Sequence, residues 1–522
     1  MRKELENLDS HYDCIIIGGG ASGLGIAFDC ATRGYKTLLV EAKDFAKGTS
    51  SRSTKLLHGG VRYLAQGDFA LVYEALHERQ LLIQNAPHLC KKQAFIIPSE
   101  NFFSTLYYTL GLKIYALMAG KMSLGKTTML NKICLSQRLQ GIKEKFLHSG
   151  VVYFDGQFDD ARLALSLARS AEFHGACVLN YMKVSSLLKN EKGELSGVAL
   201  EDKHPNASLR AKKSFEVRAK CIFNATGVFT NELNKMNDNT DSSLDIVPSQ
   251  GIHLVLDRSF LPTDDALMIP KTADKRVLFA IPWHNKLLVG TTDTLIEKVS
   301  YEPKALDEEI DFVLNTFANY AIKKPSRKDV LSVFAGLRPL AAFKDKNQAT
   351  KSISRTHKIS VSKSKLISLN GGKWTTFRAM AEECIDEAIK HQLLEPKPCR
   401  TKDTRLFGYA EGLDFNERLS VYGSELKELK ELEKNPEFAK TIHPHYAYTL
   451  AQVKWAISYE KALCLEDVLA RRMRLLFLDA KAALQAAPSV ASFMAKELGW
   501  SQDFLEQELA NFTELAKSYQ LH

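Results

Sequence analysis

No two of the nine cysteines stand in a Cys-x-x-Cys pair, so neither a zinc site nor a dithiol redox centre has the spacing it needs. The thiols are odd in number and scattered. Cys14 and Cys221 interrupt apolar runs, where a small thiol packs as an apolar group. This usage points to a reducing compartment. No uninterrupted apolar run reaches the ~18 residues of a membrane-spanning helix, and there is neither an internal repeat nor a low-complexity tract. Residues Met1 to His11 alternate charges without an apolar core and lack the Arg- and Ser-rich character of a transit sequence, so no leader is expected. Net charge is also scarce: 70 basic against 61 acidic residues leave +9 over 522 positions. That excess suits an anionic ligand or membrane surface and is too thin for a dedicated nucleic-acid binder.

What is present is ordinary globular composition, 45% hydrophobic and 25% charged, with length for about three domains. Tyr12 to Ile17 reads as a buried strand, Ala21 to Arg33 as a closely packed helix, and Thr37 to Glu41 as a second buried strand. Between the first two lie Gly18, Gly20 and Gly23 in G-x-G-x-x-G. A strand before it, a helix after it and an acidic Glu41 ending the next strand make this a dinucleotide site: room for a pyrophosphate, a helix N-terminus facing it, and a carboxylate for a ribose hydroxyl. An acid at 41 argues against a 2′-phosphate, which leaves FAD or NAD. Further on, Lys183 to Phe223 alternates as an antiparallel meander returning to a buried strand that ends in Asn224-Ala225-Thr226-Gly227. A small-residue turn there favours FAD.

Other residues suggest chemistry. Gly371-Gly372-Lys373-Trp374-Thr375-Thr376 ends a strand and starts a helix, placing a helix N-terminus and a cation where a reduced flavin would be anionic. Arg62, Arg338 (in an apolar, turn-like segment) and Arg355 are arginines whose desolvation calls for an anion; three together suit a phosphate. His253, in the strand-like Gly251 to Val255, is the type of group that takes a hydroxyl proton. No metal site is expected.

Thr49 to Leu64, with His58-Gly59-Gly60-Val61-Arg62-Tyr63 at its end, closely resembles the flavin-proximal loop of FAD-dependent glycerol-3-phosphate dehydrogenases. Asp159 to Arg162, Ile281-Pro282-Trp283, Gly290-Thr291-Thr292-Asp293, Gly336 to Leu340, the Gly371 run and Leu465 to Arg472 follow the same family. The resemblance spans about 11–480 and implies oxidation of sn-glycerol 3-phosphate to dihydroxyacetone phosphate, with FAD as cofactor and electrons passed to a membrane quinone. By matching motif, Arg62, Tyr63, Arg338 and Arg355 would hold substrate, and His253 and Lys373 would flank its reacting hydroxyl. FAD would be held by Gly18, Gly20, Gly23, Glu41, Thr49, Ser50, Ser51, Lys55, Leu57, His58, Gly59, Ala225, Thr226, Gly227, Gly372, Lys373 and Thr375. The chain departs from the family pattern at Val228-Phe229 and Ile252. An oxidase using oxygen, an amino-acid oxidase of related fold and an idle flavin binder are the alternatives.

The expected fold is α/β (α+β): a Rossmann-type FAD-binding domain in three parts (11–100, 151–240, 346–395), an inserted antiparallel-sheet substrate domain (241–345) and an α-helical C-terminal domain (400–522). Residues 101–150 form an apolar and basic insert. Phe102 to Gly120 is its most aromatic stretch, and between Asn101 and Lys143 there is no Asp or Glu. Lys113, Lys121, Lys126, Lys132, Arg138 and Lys143 look unopposed, which suits an anionic bilayer surface; a core helix with a solvated loop is the other reading. A peripheral protein on the cytoplasmic face of the inner membrane is therefore expected, without a nucleic-acid partner; a homodimer is left open.

Overall fold

The computed structural model describes residues 5, 8–64, 67–210, 214–238, 244–270, 272, 276–343, 357–415 and 417–521. Two sheets organise them. The first has Leu366–Asn370, Phe215–Asn224, His11–Ile17, Thr37–Val40 and Cys177–Leu179 side by side and all parallel. Their run of Ile, Leu, Val and Phe is buried on both faces, as a sheet sandwiched between layers requires. The helices Ala21–Thr32, Asp160–Phe173 and Phe377–Lys390 close one face around a core that includes Cys14, Leu24, Phe28, Leu167, Phe223 and Cys384. The meander Met182–Lys189 and Leu195–Asp202 joins the long strand Phe215–Asn224, as expected. Because the five strands run one way, Gly18, Glu41, Ala225 and Gly371 all fall at the same carboxyl edge.

The second sheet contains the pair Leu244–Asp257 and Val330–Phe343, followed by Lys286–Gly290, Leu278–Trp283, Ala266–Ile269, Cys90–Ser99, Ser149–Phe158 and Leu56–Leu57. Two findings differ from the sequence reading. Cys90–Ser99 and Ser149–Phe158, taken as parts of the dinucleotide-binding segments, pair with each other here, in the second sheet. A strand buried on both faces carries the same apolar run whichever sheet receives it, so periodicity does not assign it. Arg338 is not in a turn: Val330–Phe343 is one long strand despite Gly336 and Pro339. Pro339 sits in register with Pro248, so two residues without an N–H meet at one point and the ladder continues on either side.

The C-terminal helices Leu450–Tyr459, Ala480–Leu498 and Gln502–Lys517 share a core with Trp500, Phe512 and Tyr519 that also takes in Val255, Trp283, Leu288 and Phe334 of the second sheet. This unit is fastened to the first sheet by buried ions. Arg471 and Arg472 both grip Asp44, Arg471 also bonds Asp467 at 2.7 Å, and Arg474 reaches Asp160 at 2.7 Å. On the other carboxyl oxygen of Asp160 lies Lys55, at 2.6 Å.

Phe102–Ala119 is a helix capped by Asn101. The cations behind it are only partly as expected. Lys132 pairs with Glu144, Arg138 forms a two-pronged pair with Asp265, and Lys143 donates to the carbonyls of Ala318 and Asn319. Asp265 and the two carbonyls are far away in sequence, which is why local charge counting missed them. No helix among the described residues is long and apolar enough to cross a membrane.

Candidate active site

At the carboxyl edge of the parallel sheet the backbone is built for close approach. Gly18 has φ +114°, and a Cβ there would come within 2.6 Å of the Ala225 carbonyl, while one at Gly23 would overlap the Gly18 carbonyl. The Ala225-Thr226-Gly227 turn is tied by the Asn224 side chain, whose Oδ1 accepts from the Thr226 N–H (3.3 Å) and hydroxyl (2.7 Å). Glu41 accepts from the Gly19 N–H at 2.6 Å and the Lys43 N–H at 2.8 Å. Its carboxylate is thereby held beside the glycine turn with lone pairs to spare. Gly20 and Ala21 open the Ala21–Thr32 helix, and the Ser50 hydroxyl accepts from the Ala21 N–H at 2.9 Å. Crowded glycines, a helix N-terminus and a held carboxylate fit the diphosphate and ribose of a dinucleotide.

A cleft of about 230 Å³ opens between this edge and the second sheet. Thr49, His58, His253, Arg338, Gly372, Lys373 and Thr375, all singled out from the sequence, line it together. Register brings His253 and Arg338 there. Ser249 faces Arg338, Gly251 faces Gly336 and His253 faces Phe334 across the antiparallel pair, so alternate residues of both strands share one face. The Arg338 guanidinium lies over Gly251, where any Cβ would displace it. It donates to the carbonyls of Gln250 (3.3 Å) and Thr292 (3.0 Å) and to the Thr291 hydroxyl (3.2 Å), with Asp293 at 3.4 Å. Its side chain remains 27% exposed, so it can still meet an anion from the cleft.

His253 is buried, with its ring stacked on Phe334 at 5.1 Å between centroids. Nε2 and the Thr54 hydroxyl share a hydrogen bond of 2.9 Å, and among the described residues Nδ1 has no hydrogen-bond partner. Burial, then the charges of Lys55 and Arg338, hold its pKa well below the ordinary imidazole value. This favours the neutral form of the ring. Lys373 precedes the turn Trp374–Thr376, which runs into the Phe377–Lys390 helix, and the Trp374 indole N–H donates to the Ser50 carbonyl at 2.8 Å. This bond joins the two loops of the cleft.

Ser51, Lys55, Leu57 and Gly59 are not among the residues that line this cleft. The Lys55 ammonium is buried against Asp160 and the Ser51 carbonyl (2.6 Å each), and burial pushes its pKa down to about 7. Leu57 is in the core, Ser51 is buried, and the Gly59 N–H donates to the Tyr115 hydroxyl at 2.9 Å. Arg62 and Tyr63 belong to the short helix Val61–Leu64 that follows His58. Arg355 lies outside the described residues. The sequence reading gave no role to Thr54 or to Glu309. Buried Glu309 accepts from Thr292 Oγ1 (2.6 Å), Thr294 Oγ1 (2.7 Å), Gln250 Nε2 (2.7 Å) and its own helix's Leu306 N–H (3.2 Å). Glu in the first turn of an amphipathic helix looks like an ordinary cap, and nothing local reveals its reach.

Residues 13–384 match the family model of FAD dependent oxidoreductases, and residues 362–504 match that of the C-terminal domain of alpha-glycerophosphate oxidase. The mitochondrial glycerol-3-phosphate dehydrogenase of Bos taurus is 38% identical over 96% of this chain and 72% of its own. The chain belongs to the FAD-dependent glycerol-3-phosphate dehydrogenase family. The Saccharomyces cerevisiae member is 34% identical over 97% of this chain and 89% of its own. A solved glycerol-3-phosphate dehydrogenase from Bacillus halodurans, complexed with FAD, superposes with a TM-score of 0.79 at 28% identity, covering 98% and 96% of the two chains. The protein is thus an FAD-dependent oxidoreductase enzyme, with a dinucleotide-binding α/β fold, a second sheet and a helical C-terminal domain.

Proposed function

We propose that the enzyme oxidises sn-glycerol 3-phosphate to dihydroxyacetone phosphate and delivers the electrons to a quinone, working peripherally at a membrane surface. The observation that carries this reading is the convergence of an arginine, a neutral histidine and a lysine on one cleft at the carboxyl edge of the dinucleotide sheet. FAD, when bound, supplies the acceptor for the hydride of C2. Its diphosphate and ribose would rest on Gly18, Gly20, Gly23, Glu41, Ser50 and the Ala225 turn, and its ring beside Thr49, His58, Gly372, Lys373 and Thr375. Arg338 binds the substrate phosphate, with Arg62, Tyr63 and Arg355 completing that subsite. His253 accepts the C2 hydroxyl proton, directly or through a water, so that the carbonyl can form. Lys373, at the start of its turn, adds positive charge where negative charge gathers. Anaerobic bleaching of the flavin by glycerol 3-phosphate tests the reading; no bleaching ends it.

Oxygen as acceptor is the second reading, favoured by the C-terminal match to the oxidase domain. Oxygen uptake measured with and without quinone separates the two.

A charge-assisted hydrogen bond contributes ~1.5–3 kcal/mol, so Arg338→Ala should raise KM about tenfold to a hundredfold with FAD retained. An unchanged KM in a flavin-replete variant removes the phosphate role. Glu309 is a positioning residue in this scheme, because Gln250 and Thr292, whose carbonyls orient Arg338, hang on its carboxylate. Glu309→Ala should raise KM by about tenfold with a much smaller change in kcat. If kcat and KM are both unaltered, those carbonyls keep their places without it.

A further inference from the structure

Thr54 belongs to the loop that leads from the turn Thr49–Ser51 into the strand Leu56–Leu57, and it lines the cleft beside His253. Its neighbours on both sides are pinned. Arg52 makes a two-pronged pair with Glu302, at 2.8 Å to each oxygen, and its guanidinium lies over the rings of Phe477 and Tyr519. One oxygen of Asp160 accepts from the Ser53 N–H (3.1 Å), the Ser53 hydroxyl (2.7 Å) and the Lys55 ammonium (2.6 Å). Lys55 has φ +62°, a left-handed conformation that is unfavourable for a residue with a Cβ. Such strain persists only where the surroundings over-determine it, and it gathers at functional sites. Here it sits next to the one loop residue whose hydroxyl reaches the imidazole.

Among the described residues the Thr54 hydroxyl makes a single hydrogen bond, the 2.9 Å contact with His253 Nε2. The ring depends on it. Stacking on Phe334 sets the ring plane, and Gly290 leaves room for the Cδ2 edge, where a Cβ would come within 2.4 Å. Stacking does not decide which edge faces which way, because a half-turn about the Cβ–Cγ bond keeps the plane. Thr54 decides it, since the flipped ring would present a carbon to the hydroxyl. A hydroxyl both donates and accepts, so it serves the ring before and after proton transfer. Once the ring has taken the C2 hydroxyl proton, Nε2 bears a hydrogen and the Thr54 oxygen accepts it. That bond is charge-assisted and is the stronger of the two. The neighbouring charges, Lys55 and Arg338, are cations and oppose protonation. Among the described residues no carboxylate bonds the ring, so the Thr54 oxygen is the group that favours the imidazolium.

We propose that Thr54 is the positioning residue of His253: its hydroxyl fixes the edge of the imidazole and steadies the charge that the ring acquires as the hydride leaves C2. The inference rests on the reading of His253 as the base and names what equips it for the task. The test is anaerobic flavin reduction by glycerol 3-phosphate in FAD-loaded Thr54→Val, Thr54→Ser, His253→Ala and the Thr54→Val/His253→Ala double variant. Product affinity is read separately, from the flavin spectrum during titration with dihydroxyacetone phosphate. Thr54→Val, similar in size but without the hydroxyl, should be reduced about tenfold to a hundredfold more slowly, the effect of one hydrogen bond to a charged group. Its product affinity should stay parental, and Thr54→Ser should recover most of the rate. The double variant should be no slower than His253→Ala, because a residue that acts through another adds nothing once that other is gone. Parental reduction of Thr54→Val overturns the proposal, as does a serine variant as slow as the valine one. Loss of flavin from Thr54→Val would assign the hydroxyl to the cofactor and also overturn it. A double variant slower than His253→Ala by the full Thr54 factor defeats this inference alone. His253→Ala reduced as fast as the parent would defeat the base reading, and the inference with it.

Discussion

His253→Ala is expected to slow anaerobic flavin reduction by glycerol 3-phosphate by about 10²–10⁴, the range for losing a general base. The ring is suited to that task by its surroundings. Thr54 holds Nε2, Phe334 fixes the ring plane, and burial beside Lys55 and Arg338 keeps it unprotonated. A phosphate dianion on Arg338 would offset one of those cations and raise the basicity of His253 when substrate is present. Stopped-flow reduction across pH checks both points: the variant should be slow at every pH, with substrate affinity little changed. Reduction as fast as in the parent would move the base elsewhere, His58 being the other imidazole on the cleft wall.

The second large effect concerns stability. Asp44 is completely buried between Arg471 and Arg472, and removing one partner of such a pair costs about 3–5 kcal/mol because the other charges lose their compensation. Asp44→Ala should therefore lower the first thermal transition sharply, whereas a surface pair such as Lys132–Glu144 should contribute almost nothing when broken. Burial alone would raise the Asp44 pKa, but Arg472 and Arg471 override it and hold it below the ordinary 3.8. A depressed carboxylate contributes stability that is present above its unfolded pKa and is lost as pH falls through the folded value. The parent should accordingly lose stability on acidification below about pH 4, and Asp44→Asn should show a shallower acid limb. An Asp44→Ala protein with parental thermal stability would mean that the arginines find other anions.

Residues near in sequence were the legible ones. Gly18, Glu41, the Ala225 turn and the Gly371 turn could be placed because each sits where a buried strand stops, and parallel strands put all their stops at one edge. His253 and Arg338 could be recognised as types of group but not as neighbours. Their meeting depends on the register of two long strands and on Gly251 leaving room for a guanidinium. Thr54 and Glu309 act through hydrogen bonds to residues 199 and up to 59 positions away, and a hydroxyl or a carboxylate carries no mark of such a partner. The loop motif marks Lys55 but not its partner Asp160, 105 positions away. The basic insert hides its partners in the same way: Arg138 is answered by Asp265, which no local window contains.

The ion lattice between Asp44, Asp160 and the arginines at 471, 472 and 474 has a consequence for how the chain is made. Asp44 emerges from the ribosome early, and its counter-ions Arg471 and Arg472 come only in the last part of the translated chain. Until then, closing the chain over Asp44 would entomb an unbalanced carboxylate, so the loop after Thr37–Val40 is expected to close last. The finished fold is thus sealed from its far end, and a messenger truncated before Arg471 would yield a protein unable to bury its own beginning.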